Sequence, residues 1–366
     1  MYNEFIDEIC KNYNYDDNLR KAIELAFSLM MEEYNDLEGI KKVFSSVRIF
    51  SVFDISKKTL DDIEDIMTDG VNENIVFEEE DAYGNSNAGA FYRYLPLFDI
   101  NMNLIGEIKY LVARDMGKLI NGNGYKDLFG TTINIPYFLH ELNHAYAMMN
   151  PLYKIDGDRI YSKHGMFETE QRIEKINDKI KISDDKQLYI YLEEIINEWI
   201  TQKMLCSFFK VNDLDNVYYK LRNINHVPGT YTRSMLDLAN YFEIAIGKEN
   251  LMGYRKDNDY NVIKKFNLVA CESELCSHFF NGIEPYDYFN ESVSKMNELR
   301  GHLLEYIGHD DKMKNYYSNM LKLFYDALAP IYSYNFVNNN KGSIEDYINI
   351  RNKELGETIG ESSISK

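Results

Sequence analysis

The stretch from Ile135 to Met149, IPYFLHELNHAYAMM, confines this chain more than any other. It contains H-E-x-x-H: His140, Glu141 and His144. On a helix, residues at i and i+4 sit one turn apart on the same face. Two imidazoles so placed can grip one zinc ion from one side. Glu141 then lies beside the ion's open position, where it can take a proton from water. With 7 histidines in 366 residues, a chance H-E-x-x-H is expected in roughly one such chain in a hundred. The context is helical as well. Pro136 suits a first helical turn, where its missing N–H costs nothing. Leu139, Leu142, Tyr146 and Met149 recur at three- and four-residue steps, which predicts a largely buried helix.

A chain of 366 residues with 45% hydrophobic content can bury a real core, as one large domain or two ordinary ones. Six prolines and 20 glycines leave little room for long linkers. The formal net charge of −19 repels nucleic-acid phosphate and anionic membrane, so neither is an expected partner. Cys10, Cys206, Cys271 and Cys276 form no C-x-x-C, and reduced, buried thiols are expected. The first residues lack a basic segment followed by an apolar one, and no apolar run approaches a membrane span. The expected location is cytoplasmic, with export by a route that uses no cleaved signal left open.

Residues 1–70 read mainly as helices, with stripes at Phe5, Ile6, Ile9 and Tyr13, then at Leu19, Ala22, Ile23, Ala26 and Met30. Val47–Phe53 predicts a strand, and Ser56 caps a short helix through Met67. Strands are expected at 74–78, 88–93 and 97–101. Leu104–Ile120 reads as a helix closed by Asn121–Gly124 as a C-cap and turn. Tyr153–Glu168 reads as a hairpin or ordered loop, with His164 a turn residue beside Gly165. Glu170–Ile180 reads as a charged, solvated helix and Gln187–Phe209 as a long one. Beyond Asp213 the pattern is helical, broken at Asn225–Thr230.

A catalytic zinc usually has three protein ligands and one open position. The long helix offers Glu193, Glu194 and Glu198 within YLEEIINEWIT, among Ile195, Ile196, Trp199 and Ile200. Carboxylates in an apolar helix need a cation or hydrogen bonds. Glu194 and Glu198 both qualify as third ligand, whereas Glu193 fits a solvated acidic face. Cys271, Glu274, Cys276 and His278 do not share one helical face and read as packing. His302 and His309 read as surface residues.

His140-Glu141-x-x-His144 followed by an acid on a second helix resembles the gluzincin metallopeptidases, the group that includes thermolysin. The family's second motif is N-E-x-x-x-D, matched here by Glu193 to Glu198. The resemblance implies that Glu194 is the ligand and Glu198 the acid that orients a ligand histidine. Glu193 stands where the family has Asn, and Glu198 where it has Asp. Ala88–Tyr92 resembles the sheet edge along which such enzymes lay a peptide as an added strand. Gly229–Leu251 resembles the helical region after the third ligand in H-E-x-x-H proteins of clostridia. Family members stabilise the oxyanion with a Tyr or His from the downstream lobe, which implies Tyr231 or His226, with Arg233 a weaker option.

The expected fold is therefore α+β and mostly helical: a zincin-like catalytic core with a small β-sheet and active-site helix, plus a helical C-terminal lobe. The expected regions are 1–70, mainly helical; 71–225, the core; and 226–366, a helical lobe closing the cleft. The expected function is zinc-dependent hydrolysis of peptide bonds in a peptide or protein substrate, with Glu141 as general base. A catalytically silent binding or regulatory module on the same fold is the alternative. A di-iron carboxylate bundle is disfavoured, because it needs a second E-x-x-H.

Overall fold

The computed structural model describes residues 2–224 apart from 70–74, 78–88 and a few short gaps, and beyond them chiefly positions within 341–353. The chain divides into two compact units, Met1–Arg233 and Ser234–Lys366. Fold class is mixed, with helices and two small sheets. Among the described residues no helix is long and apolar enough to cross a membrane.

The first unit opens with α1 (Tyr2–Tyr13), α2 (Asp17–Tyr34) and α3 (Leu37–Ser46). Asp16 caps α2 by accepting from Leu19 N at 2.7 Å, and Asn35 ends it in the left-handed region. The stripe read along α2 is buried: Leu19, Ala22, Ile23, Ala26 and Met30. The strand β1 (Arg48–Val52) follows, then α4 (Lys57–Thr68), capped by Ser56 as the sequence suggested.

The first sheet has the order β1-β4-β3, with β3 spanning Ala90–Phe98 and β4 Leu104–Arg114. β1 runs parallel to β4, and β3 antiparallel to it. Two expected strands merge in β3, which continues through Pro96. Tyr92 donates its N–H away from β4, so the residues at the same parity, Pro96 included, present their nitrogens to the edge that no other described strand pairs. A missing N–H costs no ladder bond there. One face of the sheet packs on α4 through Ile108, Tyr110, Val112, Leu60 and Ile63. Glu64 fastens that contact, accepting from Tyr110 OH at 2.8 Å and pairing with Arg93 at 3.1 Å.

The helix expected over Leu104–Ile120 is thus a strand, followed by a 3-10 turn at Met116–Lys118. Its second half, Ile108–Ala113, is buried on both faces. A strand so placed loses the polar/apolar alternation that marks one, and its largely apolar run, interrupted at Lys109, imitates a buried helix. Nor is Asn121–Gly124 a helix end: Gly122 begins α5 (Gly122–Phe129). A Cβ there would meet Met116 O at 2.1 Å, so glycine lets the helix start against the 3-10 turn.

Three features aim α6 (Ile135–Ala147). Asp115 bridges Ile133 through two hydrogen bonds, Met116 N to Thr132 O at 2.8 Å and Asn134 N to Arg114 O at 3.0 Å. Asn18 of α2 clamps the same turn, donating to Thr132 Oγ1 at 2.7 Å and accepting from Thr132 N at 2.9 Å. Pro136 lies in the first turn, as expected.

The second sheet has the order β2-β8-β7-β6-β5: Ile75–Phe77, Lys179–Leu188, Phe167–Ile176, Arg159–His164 and Leu152–Asp156. β5 and β6 form the expected hairpin. The helix expected at Glu170–Ile180 is instead the antiparallel pair β7–β8. Its charges alternate with Gln171 and Ile173, a period of two rather than 3.6. Ile173 packs on Phe98 and Ile160. β2 joins β8 in parallel.

The helix α7 (Ile190–Phe209) and α8 (Leu214–Arg222) complete the described part of this unit. α2, α6 and α7 pack together. Cys10 is buried and Cys206 half-buried, both free thiols, while Cys271 and Cys276 lie outside the described residues. In the second unit, Ser343 and Asp346 cap each other: Asp346 Oδ2 accepts from Ser343 N at 2.8 Å, and Ser343 Oγ accepts from Asp346 N at 3.2 Å.

Candidate metal centre

α7 is apolar nearly all round, with Ile195, Ile196, Trp199, Ile200, Met204 and Leu205 buried. Two polar rows interrupt it at helical spacing: Glu193, Asn197 and Thr201, and beside them Glu194, Glu198 and Gln202. Polar side chains of α6 meet them. Asn143 donates to Thr201 Oγ1 at 2.9 Å and accepts from Tyr34 OH of α2 at 2.8 Å. Tyr146 OH donates to Asp36, the cap of α3, at 2.7 Å. A seam of paired polar groups thus sets the rotation of α6 against α7.

The seam places His140, His144 and Glu194 together. His140 Nε2 lies 3.2 Å from His144 Nε2 and 3.2 Å from Glu194 Oε2. His144 Nε2 lies 3.3 Å from Glu194 Oε1. The three residues can each offer a ligand atom within 4.8 Å of the others, and such a group could hold a metal ion. Glu198 does not share this focus. Its Oε2 faces His140 Nδ1 at 3.1 Å, while its Oε1 accepts from Gln202 Nε2 at 2.6 Å.

Glu193 departs from expectation. Read from sequence as a solvated acid, it is 1% exposed and directs Oε1 toward His144 Nδ1 at 3.6 Å. Its position in the i, i+4 row with Asn197 and Thr201 was the available signal. Three acids within six residues obscured it, since the apolar flanks of Glu194 and Glu198 alone were read as inward.

Protonation follows from this crowding. Burial alone would lower both imidazoles. For His140, hydrogen bonds to Glu194 and Glu198 outweigh burial and hold the ring well above its ordinary value. For His144, Glu194 and Glu193 outweigh it and raise the ring to about 9. Burial would raise Glu194, but the two imidazoles hold it well below the usual carboxylate range. The acids therefore demand positive charge, which imidazolium supplies when no metal does.

Glu141 points elsewhere. Its Oε2 accepts from Tyr92 N of β3 at 2.9 Å, and burial raises its carboxyl. The acid of the motif is thus fastened to the edge of β3 that faces away from β4. His226 and Tyr231 lie outside the described residues, as do His278, His302 and His309. His164 ends β6 beside Gly165, which forms the turn with φ +55°.

No known family matches the chain, and no curated protein or solved structure matches it.

Proposed function

We propose that this chain is a zinc-dependent metallopeptidase with a zincin-like core, cleaving a peptide or protein substrate. The observation that carries the reading is the convergence of both Nε2 atoms and the Glu194 carboxylate at spacings of 3.2, 3.2 and 3.3 Å. A tetrahedral ion with bonds of about 2.0–2.1 Å sets its ligands about 3.3–3.4 Å apart. The donor set fits: two neutral imidazoles and a carboxylate suit zinc and leave one position open. A closed structural site would use four ligands and have no use for Glu141.

Zinc, when bound, would polarise the scissile carbonyl and make water acidic enough to ionise near neutrality. His140 and His144 would hold it through Nε2, each with Nδ1 turned to an acid, and Glu194 would be the third ligand. Glu141 takes the proton of the attacking water and passes it to the leaving amine. Its elevated carboxyl suits that exchange. Tyr231 or His226 is proposed as the additional oxyanion donor. The edge of β3 that faces away from β4, whose Tyr92 N–H meets Glu141, is the proposed rail for an extended peptide.

The test is cleavage of a peptide library by wild type and Glu141→Gln side by side, with zinc content measured on both. Wild type is expected to carry about one zinc and to cleave. Glu141→Gln should keep the metal and lose about 10²–10⁴-fold in rate. A wild-type protein that takes up no zinc sinks the metal reading. Zinc without cleavage favours a binding or regulatory module.

A further inference from the structure

The acid preceding the third ligand stands where the motif that the helix resembles has Asn, and it is the most deeply buried carboxylate of the seam. Glu193 is 1% exposed, against 8% for His144. It does not share the focus of the two Nε2 atoms. It stands behind His144, with Oε1 3.6 Å from Nδ1. The enclosure is specific. The β6–β7 turn closes over the carboxylate at Gly165, where a Cβ would lie 2.8 Å from Glu193 Oε2 and 3.0 Å from Ala147 Cβ. Ala147 belongs to α6, three positions after His144. The carboxylate is thus confined between the turn and the helix that carries the imidazole it faces. Burying a charge so completely is costly unless a cation or donor faces it.

We propose that Glu193 is a positioning residue for His144, doing for that ring what Glu198 does for His140, so that both imidazoles are backed by carboxylates. This rests on the metal centre proposed above. A carboxylate at Nδ1 draws the ring proton to that nitrogen, leaves the Nε2 lone pair for the metal, and makes the imidazole a stronger donor. An amide at the same place could orient the ring but would add no charge. With Glu193, Glu194 and Glu198 the seam holds three negative charges around one divalent site. Tight retention of a divalent cation is the expected property of such a site.

The test is zinc affinity by chelator competition on metal-free protein, together with the visible absorption of the cobalt(II)-substituted form. Glu193→Gln keeps the size and removes the charge. It is expected to weaken zinc binding about 10–100-fold and to shift the cobalt bands, with the far-UV circular dichroism unchanged. Wild-type affinity and an unaltered cobalt spectrum in Glu193→Gln overturn the proposal. If Glu193→Gln does not fold, Glu193→Asp decides: the shorter carboxylate weakens zinc binding, and unchanged affinity overturns the proposal. Failure of the underlying centre is seen separately, as a wild-type protein that binds neither metal.

Discussion

Asn143 of α6, which immediately precedes His144, donates to Thr201 Oγ1 of α7 at 2.9 Å inside the core. Thr201 in turn donates to Asn197 O at 2.8 Å, and Asn143 accepts from Tyr34 OH at 2.8 Å. Three helices therefore share one buried network, and its geometry fixes the angle at which α6 presents His140 and His144. Asn143→Ala would remove one acceptor of the buried Tyr34 hydroxyl and the donor to Thr201. The expected cost is about 2–4 kcal/mol of stability, read by urea unfolding. An unchanged midpoint would show that the network is idle.

Glu194 and Glu198 should separate cleanly. Glu194 faces both Nε2 atoms, whereas Glu198 faces only His140 Nδ1. Glu194→Gln is expected to abolish stoichiometric zinc in a dialysed preparation. Glu198→Gln should retain zinc with affinity lowered about 10–100-fold. Elemental analysis and chelator titration of the two variants check the order; the reverse order would make Glu198 the ligand.

Metal uptake should depend on pH with a defined sign. Both imidazoles are raised above their ordinary value, His144 to about 9. In the metal-free fold the protonated rings are therefore favoured. The stability they contribute is fully present below the unfolded value of about 6.5 and is lost as pH rises through about 9. Zinc must displace those protons, so its apparent affinity is expected to climb from pH 6 and level off above about 9. Titration calorimetry in buffers of different ionisation enthalpy counts the protons released. No release at pH 7 would contradict the assignment.

Gly165→Ala tests the wall behind Glu193. The residue has φ +55°, which L side chains rarely adopt, and its added methyl would press on Glu193 and Ala147. A loss of about 1–3 kcal/mol is expected in thermal unfolding. Zinc affinity should fall with it, because the displaced group stands behind His144. Destabilisation with zinc affinity intact would confine Gly165 to a backbone role.

How much of this could be read beforehand depends on what each signal measures. His140 and His144 were legible because helical spacing and ligand spacing coincide at i and i+4. Ser56 was legible because capping chemistry is local. β4 was not: whether Ile108–Ala113 alternates or is buried along both faces, as it is here with Lys109 included, depends on what covers it, and that cover is α4 and the rest of the fold. β7 and β8 were missed because their charged residues suit a solvated helix equally well until cross-strand partners are known. Glu193 was hidden for a similar reason. Which of three neighbouring acids turns inward is decided by the rotation of α7 against α6, to which the Asn143–Thr201 bond contributes.

The separation of the two helices along the chain has a consequence in time. His140 and Glu194 are 54 positions apart, with the β5–β8 hairpins made in between. At ribosomal speeds of about 5–20 residues per second, the histidines precede the acids by about 3–10 s. The hairpins can pair locally during that interval, whereas the acids facing the imidazoles do not yet exist. Metal capture at the proposed centre would accordingly be a late event in the life of the nascent chain, securing a scaffold whose shorter-range contacts can form first.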